Sequence, residues 1–168
     1  MVAWQALMAI AAGLLTALAG GCNDVPSSSG LETVVIRAET FRLEVVADEE
    51  SRRTGLMHRD SIAEHGGMLF VYPSCRIQSY WMGYCLVDID IIFLDAVGRV
   101  TATHRMKAEE PKRQSESESQ YRARLRSYWS NYPSQFAIEL KSGWLDRLDV
   151  QVDDKITLDV ERLKAMAR

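Results

Sequence analysis

Charge is what the beginning of this chain lacks: between Met1 and Gly21 there is no Lys, Arg, Asp or Glu. Cysteine is also sparse. The three cysteines, Cys22, Cys75 and Cys85, form no C-x-x-C pair and no zinc-type spacing. There is no Gly-x-Ser-x-Gly elbow, no glycine-rich phosphate loop and no His-Glu-x-x-His helix, so the common local signatures of serine hydrolases, nucleotide-binding enzymes and zinc proteases are missing. A net charge of -3 gives no basic field for nucleic acid, and no nucleic-acid partner is expected. With 168 residues, 47% of them hydrophobic, the chain can bury one domain-sized core.

Val2 to Ala19 is almost wholly apolar, and Asn23, Asp24, Pro26 and three serines follow soon after. An apolar run ending in small residues before a polar linker reads as an export signal. Leu18-Ala19-Gly20-Gly21-Cys22 resembles a bacterial lipobox, in which the cysteine thiol is lipidated and the chain is cut before it. An uncleaved anchor is the alternative, because a run of this length can just span a bilayer. The expected organisation is a signal peptide or anchor over 1–21, a lipidated Cys22 with a flexible tether over 22–32, a folded domain over 33–162 and a charged tail over 163–168. The expected location is the cell envelope, with a membrane as partner through the lipid or anchor.

Strand patterning dominates the rest. Val34–Ile36 and Phe41–Val45 read as strands, the second alternating apolar and charged residues. Asp48 is placed to cap a short helix that Gly55 stops. Met68–Tyr72, Gln78–Met82, Ile89–Leu94, Val100–Met106, Phe136–Leu140 and Lys155–Val160 follow as strands, with Val100, Ala102, His104 and Met106 on one face. Ser117 or Ser119 can cap a helix over 120–130, on which Tyr121, Leu125, Tyr128 and Trp129 share a face. Gly143–Leu148 reads as a helical turn. The expected class is mainly β, a compact sandwich or partly closed barrel with two or three short helices.

Three ordered segments resemble the family called domain of unknown function 192. They are Gly55-Leu56-Met57-His58-Arg59 with Gly67-Met68-Leu69-Phe70, then Tyr80-Trp81-Met82 with Asp90-Ile91-Ile92-Phe93, then Phe136-Ala137-Ile138-Glu139-Leu140 with Gly143 and Asp154. The resemblance implies a compact β-rich fold, often exported, and no established activity, cofactor or catalytic residue. The chain departs from the pattern at Gly83-Tyr84-Cys85, where the family has Lys-Asn-Thr. It also has Asp149 and Asp153 where glycine is common, and Asp tolerates left-handed backbone.

Asp90 and Glu139 stand out because each interrupts an apolar run. A buried carboxylate is costly unless paired, and Arg59 is the expected partner of Asp90. For Glu139, strand alternation offers an outward-facing alternative. Trp81 and Met82 can line a concave site or fill the core. Arg59, Trp81, Met82, Asp90 and Glu139 are therefore the candidate ligand-binding residues, with no catalytic residue named and no cofactor or metal expected. The leading reading is a non-catalytic envelope module binding a small molecule, cell-wall polymer or envelope protein. The alternatives are a hydrolase with Asp90 as acid or base, and copper handling through Met57, Met68, Met82, Met106, His58, His65 and His104. Cys75 and Cys85 can form a disulfide if the chain turns back near Gly83; a straight strand between them would hold them apart as two thiols.

Overall fold

A computed structural model describes residues 30–168. The run ending at Cys22, with its lipidation and anchoring readings, lies outside the described residues. Within them, no helix is long and apolar enough to cross a membrane.

The chain begins with a hairpin of β1 (Leu31–Ile36) and β2 (Glu39–Val46). Asp48 then caps α1 (Glu49–Thr54) by accepting from the Ser51 amide at 2.9 Å, and Gly55 ends it at φ 49°. A loop through Leu56 and Arg59 leads to β3 (Gly66–Arg76), which runs parallel to β2. Next come the short β4 (Ser79–Tyr80), β5 (Ile89–Leu94), β6 (Val100–Met106), α2 (Glu118–Arg124), the short β7 (Tyr128–Trp129), β8 (Ser134–Lys141), α3 (Trp144–Leu148) and α4 (Val160–Met166).

Six strands form one open sheet in the order β1-β2-β3-β8-β5-β6, antiparallel except at the β2–β3 pair, while β4 and β7 make a separate two-stranded ribbon. The mainly β class is as expected. The sheet does not close into a barrel, and the layer opposite it is a ribbon with loops instead of a sandwich's second large sheet. Apolar side chains pack on both faces. Leu69, Ile92, Leu94, Phe136, Ile138 and Leu140 meet α3 and α4 through residues such as Trp144, Leu148 and Leu163. Met68, Phe70, Ile91, Phe93 and Ala137 meet Leu56, Met82 and Tyr128 on the other side. This double covering explains why β5 is buried at every position and reads as a continuous apolar run.

Local pattern and tertiary structure part company in several places. The helix expected over 120–130 stops at Arg124, because Tyr128 and Trp129 pair with Tyr80 and Ser79 in the ribbon. Tyr121, Leu125 and Tyr128 are still buried, whereas Trp129 is exposed. A register shift at Phe93/Leu94 turns the chain over, so Val100 packs on the α3/α4 face while Ala102 and Met106 pack on the other. Lys155–Val160 forms only an isolated bridge from Lys155 to Arg99, and Val160 opens α4 with Asp159 as its cap. Residues 163–168, expected as a charged tail, belong to the fold. Leu163 is fully buried and the Arg168 amide donates to the Ala47 carbonyl at 2.8 Å. Asp149 and Asp153 do adopt positive φ, at 46° and 74°.

Candidate functional site: a groove over Glu139

Asp90 and Glu139 lie on adjacent strands yet point to opposite faces of the sheet. Each pairs with the other's neighbour in register, Asp90 with Leu140 and Ile91 with Glu139, so alternation divides them. Asp90 is fully buried on the α3 side. Its Oδ2 accepts from the amides of Gly143 at 2.9 Å and Leu145 at 2.8 Å. Burial raises its pKa, and the two amides oppose that rise. Asp90 therefore fixes the start of α3, whose residues Trp144, Leu145 and Leu148 cap the core. Its expected partner was wrong: Arg59 is bound elsewhere, because it sits on the opposite side of the sheet. With no opening onto solvent, Asp90 is also not placed for acid–base chemistry. We expect Asp90→Ala to destabilise the domain by about 2–4 kcal/mol, since it leaves two amides without their acceptor. Urea unfolding of wild type and variant checks this.

Glu139 stands in a row across the sheet, Glu44-Met68-Glu139-Ile91-His104, on the face that carries the ribbon. It is 5% exposed, and its Oε2 has no hydrogen-bond partner. Arg59 is close enough to act on it electrostatically, but its guanidinium is engaged by Glu44 in a fork at 2.5 and 2.7 Å. Burial consequently wins, and the Glu139 carboxyl is pushed up to about 8. It is a neutral carboxylic acid at pH 7.

Above this carboxyl the structure opens into a groove of about 880 Å3. Gly55 lies beside it in the lining: a Cβ there would stand 3.9 Å from Oε2 and 3.3 Å from the Phe70 ring. Beside Glu139 the groove is lined by Tyr72 and Tyr80, whose hydroxyls are 2.6 Å apart, and by Cys85. Burial pushes the Tyr72 hydroxyl up to about 12, and burial together with the nearby Glu139 does the same for the Cys85 thiol. The rim is cationic, with Arg52, Arg76 and Arg122. The floor thus offers neutral donors and acceptors, and positive charge lies at the edge.

Of the five residues singled out in the sequence, Trp81 and Glu139 meet at this groove. Arg59 is near Glu139 but outside the lining, Met82 is a core residue at 1% exposure, and Asp90 is across the sheet. Trp81 has a second role: Arg122 lies over its ring at 4.9 Å. Cys75 and Cys85 are separate thiols, the first exposed on β3 and the second half-buried in the groove. Met68, Met82 and Met106 are buried in the core. The histidines are dispersed, His58 against Tyr84, His65 against Trp144 and His104 against Tyr128. Among the described residues, no His, Cys, Asp and Glu group converges with metal-binding geometry. The tyrosines and rim arginines were not legible as a site. Tyr72 closes the expected strand Met68–Tyr72, Tyr80 lies inside the expected strand Gln78–Met82, and Arg122 falls in the expected helix over 120–130 outside its apolar face.

The described residues form a small, mainly β domain whose open sheet carries a polar-floored groove on one face. The chain belongs to the DUF192 family, described as an uncharacterized ACR, whose pattern matches residues 32–158. No curated protein matches it. Among solved structures, it is similar to a candidate transcription regulator from Sinorhizobium meliloti, with 24% identity and a TM-score of 0.62 over 77% of this chain and 95% of that one. It is also similar to a protein of unknown function from Novosphingobium aromaticivorans, with 22% identity and a TM-score of 0.62 over 79% and 89%. At these identities the likeness concerns the fold.

Proposed function

We propose that the protein is a non-catalytic binding module of the cell envelope and that the groove over Glu139 holds a small molecule or a segment of cell-wall polymer. The observation that carries this reading is the Glu139 carboxyl. It is nearly inaccessible, has an oxygen without a partner, and lies at the bottom of an open groove. A buried polar atom without a partner costs free energy in the empty domain, and a ligand hydroxyl or amide would relieve that cost. Binding is favoured over catalysis by the chemistry of the lining. The Cys85 thiol is held protonated and the tyrosine hydroxyls remain neutral, so no activated nucleophile stands beside the carboxyl.

Native mass spectrometry of the exported protein tests this. A small-molecule adduct is expected, and stripping it should raise amide hydrogen exchange at Gly55–Leu56 and Ser79–Cys85. An adduct whose removal changes exchange only elsewhere would assign binding to another surface. The envelope location rests on the apolar run before Cys22. Cys22→Ser is expected to block processing or release the protein from the membrane fraction. A variant that fractionates and migrates as wild type would remove the lipid anchor from this reading.

A further inference from the structure

The cations around the groove are arranged unlike many others in the chain. Arg37, Arg59, Arg105, Arg124, Arg147 and Arg162 each face a carboxylate. Of the five arginines that line the groove, Arg53 faces Glu49, while Arg52, Arg76, Arg122 and Arg168 have no acidic side-chain partner among the described residues. Others without one, such as Arg42, Arg99 and Arg126, do not line it. Arg52 and Arg122 are nevertheless held in place. Arg52 donates to the carbonyls of Ala47 and Val71 at 2.5 and 2.9 Å and to the main-chain carboxyl oxygen of Arg168 at 2.8 Å, and lies over the Tyr72 ring. Arg122 stacks on Trp81, and that indole in turn presses on Gly83, where a Cβ would fall 1.7 Å from the ring. The rim acids are already engaged, Glu49 with Arg53 and Glu118 with the Tyr84 hydroxyl at 2.7 Å.

This arrangement narrows the ligand. A cation would be repelled at the rim. A wholly apolar molecule would leave Glu139 without a partner while stripping water from the arginines. A neutral polyol would satisfy the floor and leave the cations unused. At the floor, the 5%-exposed carboxyl and the paired tyrosine hydroxyls can each donate and accept, as sugar hydroxyls do. The volume, about 880 Å3, suits a ligand of one or two sugar rings.

We propose that the groove binds an acidic sugar, whose ring hydroxyls meet Glu139 and the Tyr72–Tyr80 pair while its carboxylate or phosphate is held by Arg52, Arg76 and Arg122. This rests on the groove being the ligand site. Arg122, positioned by Trp81 and Gly83, is a specificity determinant in that site.

The test is a protein-observed NMR titration of the full chain with glucuronate, glucose 6-phosphate, glucose, glucosamine and inorganic phosphate, beside a library of neutral fragments. Glucuronate or glucose 6-phosphate is expected to shift the Gly55 and Tyr80 amides and the Trp81 indole, with affinity about tenfold or more above glucose. Which of the two binds more tightly separates a carboxylate ligand from a phosphate one. The double variant Arg76→Ala/Arg122→Ala is expected to lower that affinity about tenfold with only a small change in the thermal midpoint, because among the described residues neither side chain makes a hydrogen bond or ion pair and the fold gives up only the stack of Arg122 on Trp81. Glucose or glucosamine binding as tightly as the acidic sugars would overturn the proposal, as would inorganic phosphate matching glucose 6-phosphate. If neutral fragments map to the groove and the acidic sugars do not, the ligand class is wrong and the groove remains the site. If nothing maps there, both fall.

Discussion

Gly67→Ala is expected to destabilise the domain severely. Gly67 sits at φ 147° in β3, opposite Leu140 of β8, at the centre of the sheet. A Cβ at this position would lie 2.1 Å from the backbone carbonyl oxygen of Glu139, far inside any tolerated separation. Backbone, unlike a side chain, cannot swing aside, so relief requires separating the β3–β8 pair or changing a conformation that alanine already disfavours. We expect a loss of about 4 kcal/mol or more, against a whole-domain stability of roughly 5–15 kcal/mol. Circular dichroism and urea unfolding would show lost cooperativity or a midpoint moved sharply down. A variant within about 1 kcal/mol of wild type would mean that the close approach of these two strands is not a feature of the fold. The same contact shapes the site, because it sets the backbone of the residue whose side chain forms the groove floor.

Glu139→Gln is expected to do the opposite and stabilise the protein at neutral and alkaline pH. The folded carboxyl titrates at about 8 and the ordinary value is 4.5. Below pH 4.5 the group is protonated in both states and contributes no pH dependence. Between 4.5 and about 8 the unfolded chain ionises and the folded one does not, so folding takes up a proton and stability falls as pH rises. Above about 8 both are ionised and the loss is complete. At about 1.4 kcal/mol per unit, the full span is roughly 5 kcal/mol, and about 3 kcal/mol of it is already lost at pH 7. Glutamine keeps the shape of the neutral acid and cannot ionise. Wild-type stability should therefore decline from pH 5 to pH 9 while the variant's stays nearly level, in urea unfolding at each pH. Equal slopes would place Glu139 in contact with water or a cation. A residue that costs stability at working pH and faces an open groove is what a site kept for binding looks like.

The fold was legible wherever local pattern and tertiary context agreed. Asp48 and Gly55 bracket α1, Ser117 caps α2 in a reciprocal box with Gln120, and Asp149 and Asp153 take up left-handed backbone as anticipated. It was not legible where pairing overrides periodicity. Tyr128 completes the helical face of Tyr121 and Leu125, yet its backbone is claimed by Tyr80. The site was half legible. Glu139 was conspicuous as an acid in an apolar strand, but a single strand does not reveal whether its second face is covered. The sheet order settles this by placing β8 between β3 and β5 under Leu56 and Met82. Asp90 was conspicuous for the same reason, and its partners turned out to be backbone amides of α3, which leave no trace in side-chain chemistry. The departure at Gly83 also takes on a meaning. Glycine there makes room for the Trp81 ring, on which Arg122 of α2 brings a cation to the groove.

Carboxyl-detected 13C NMR of the glutamate side chains, followed from pH 3 to pH 10 with Glu139→Gln for assignment, tests the state of the groove floor most directly. One resonance, absent from the variant, should titrate with a midpoint of about 8 and none of its change near 4.5. A Glu139 midpoint close to 4.5 would mean that the carboxyl is ionised and solvated at neutral pH, and the groove would lose the neutral polar floor on which its proposed binding function depends.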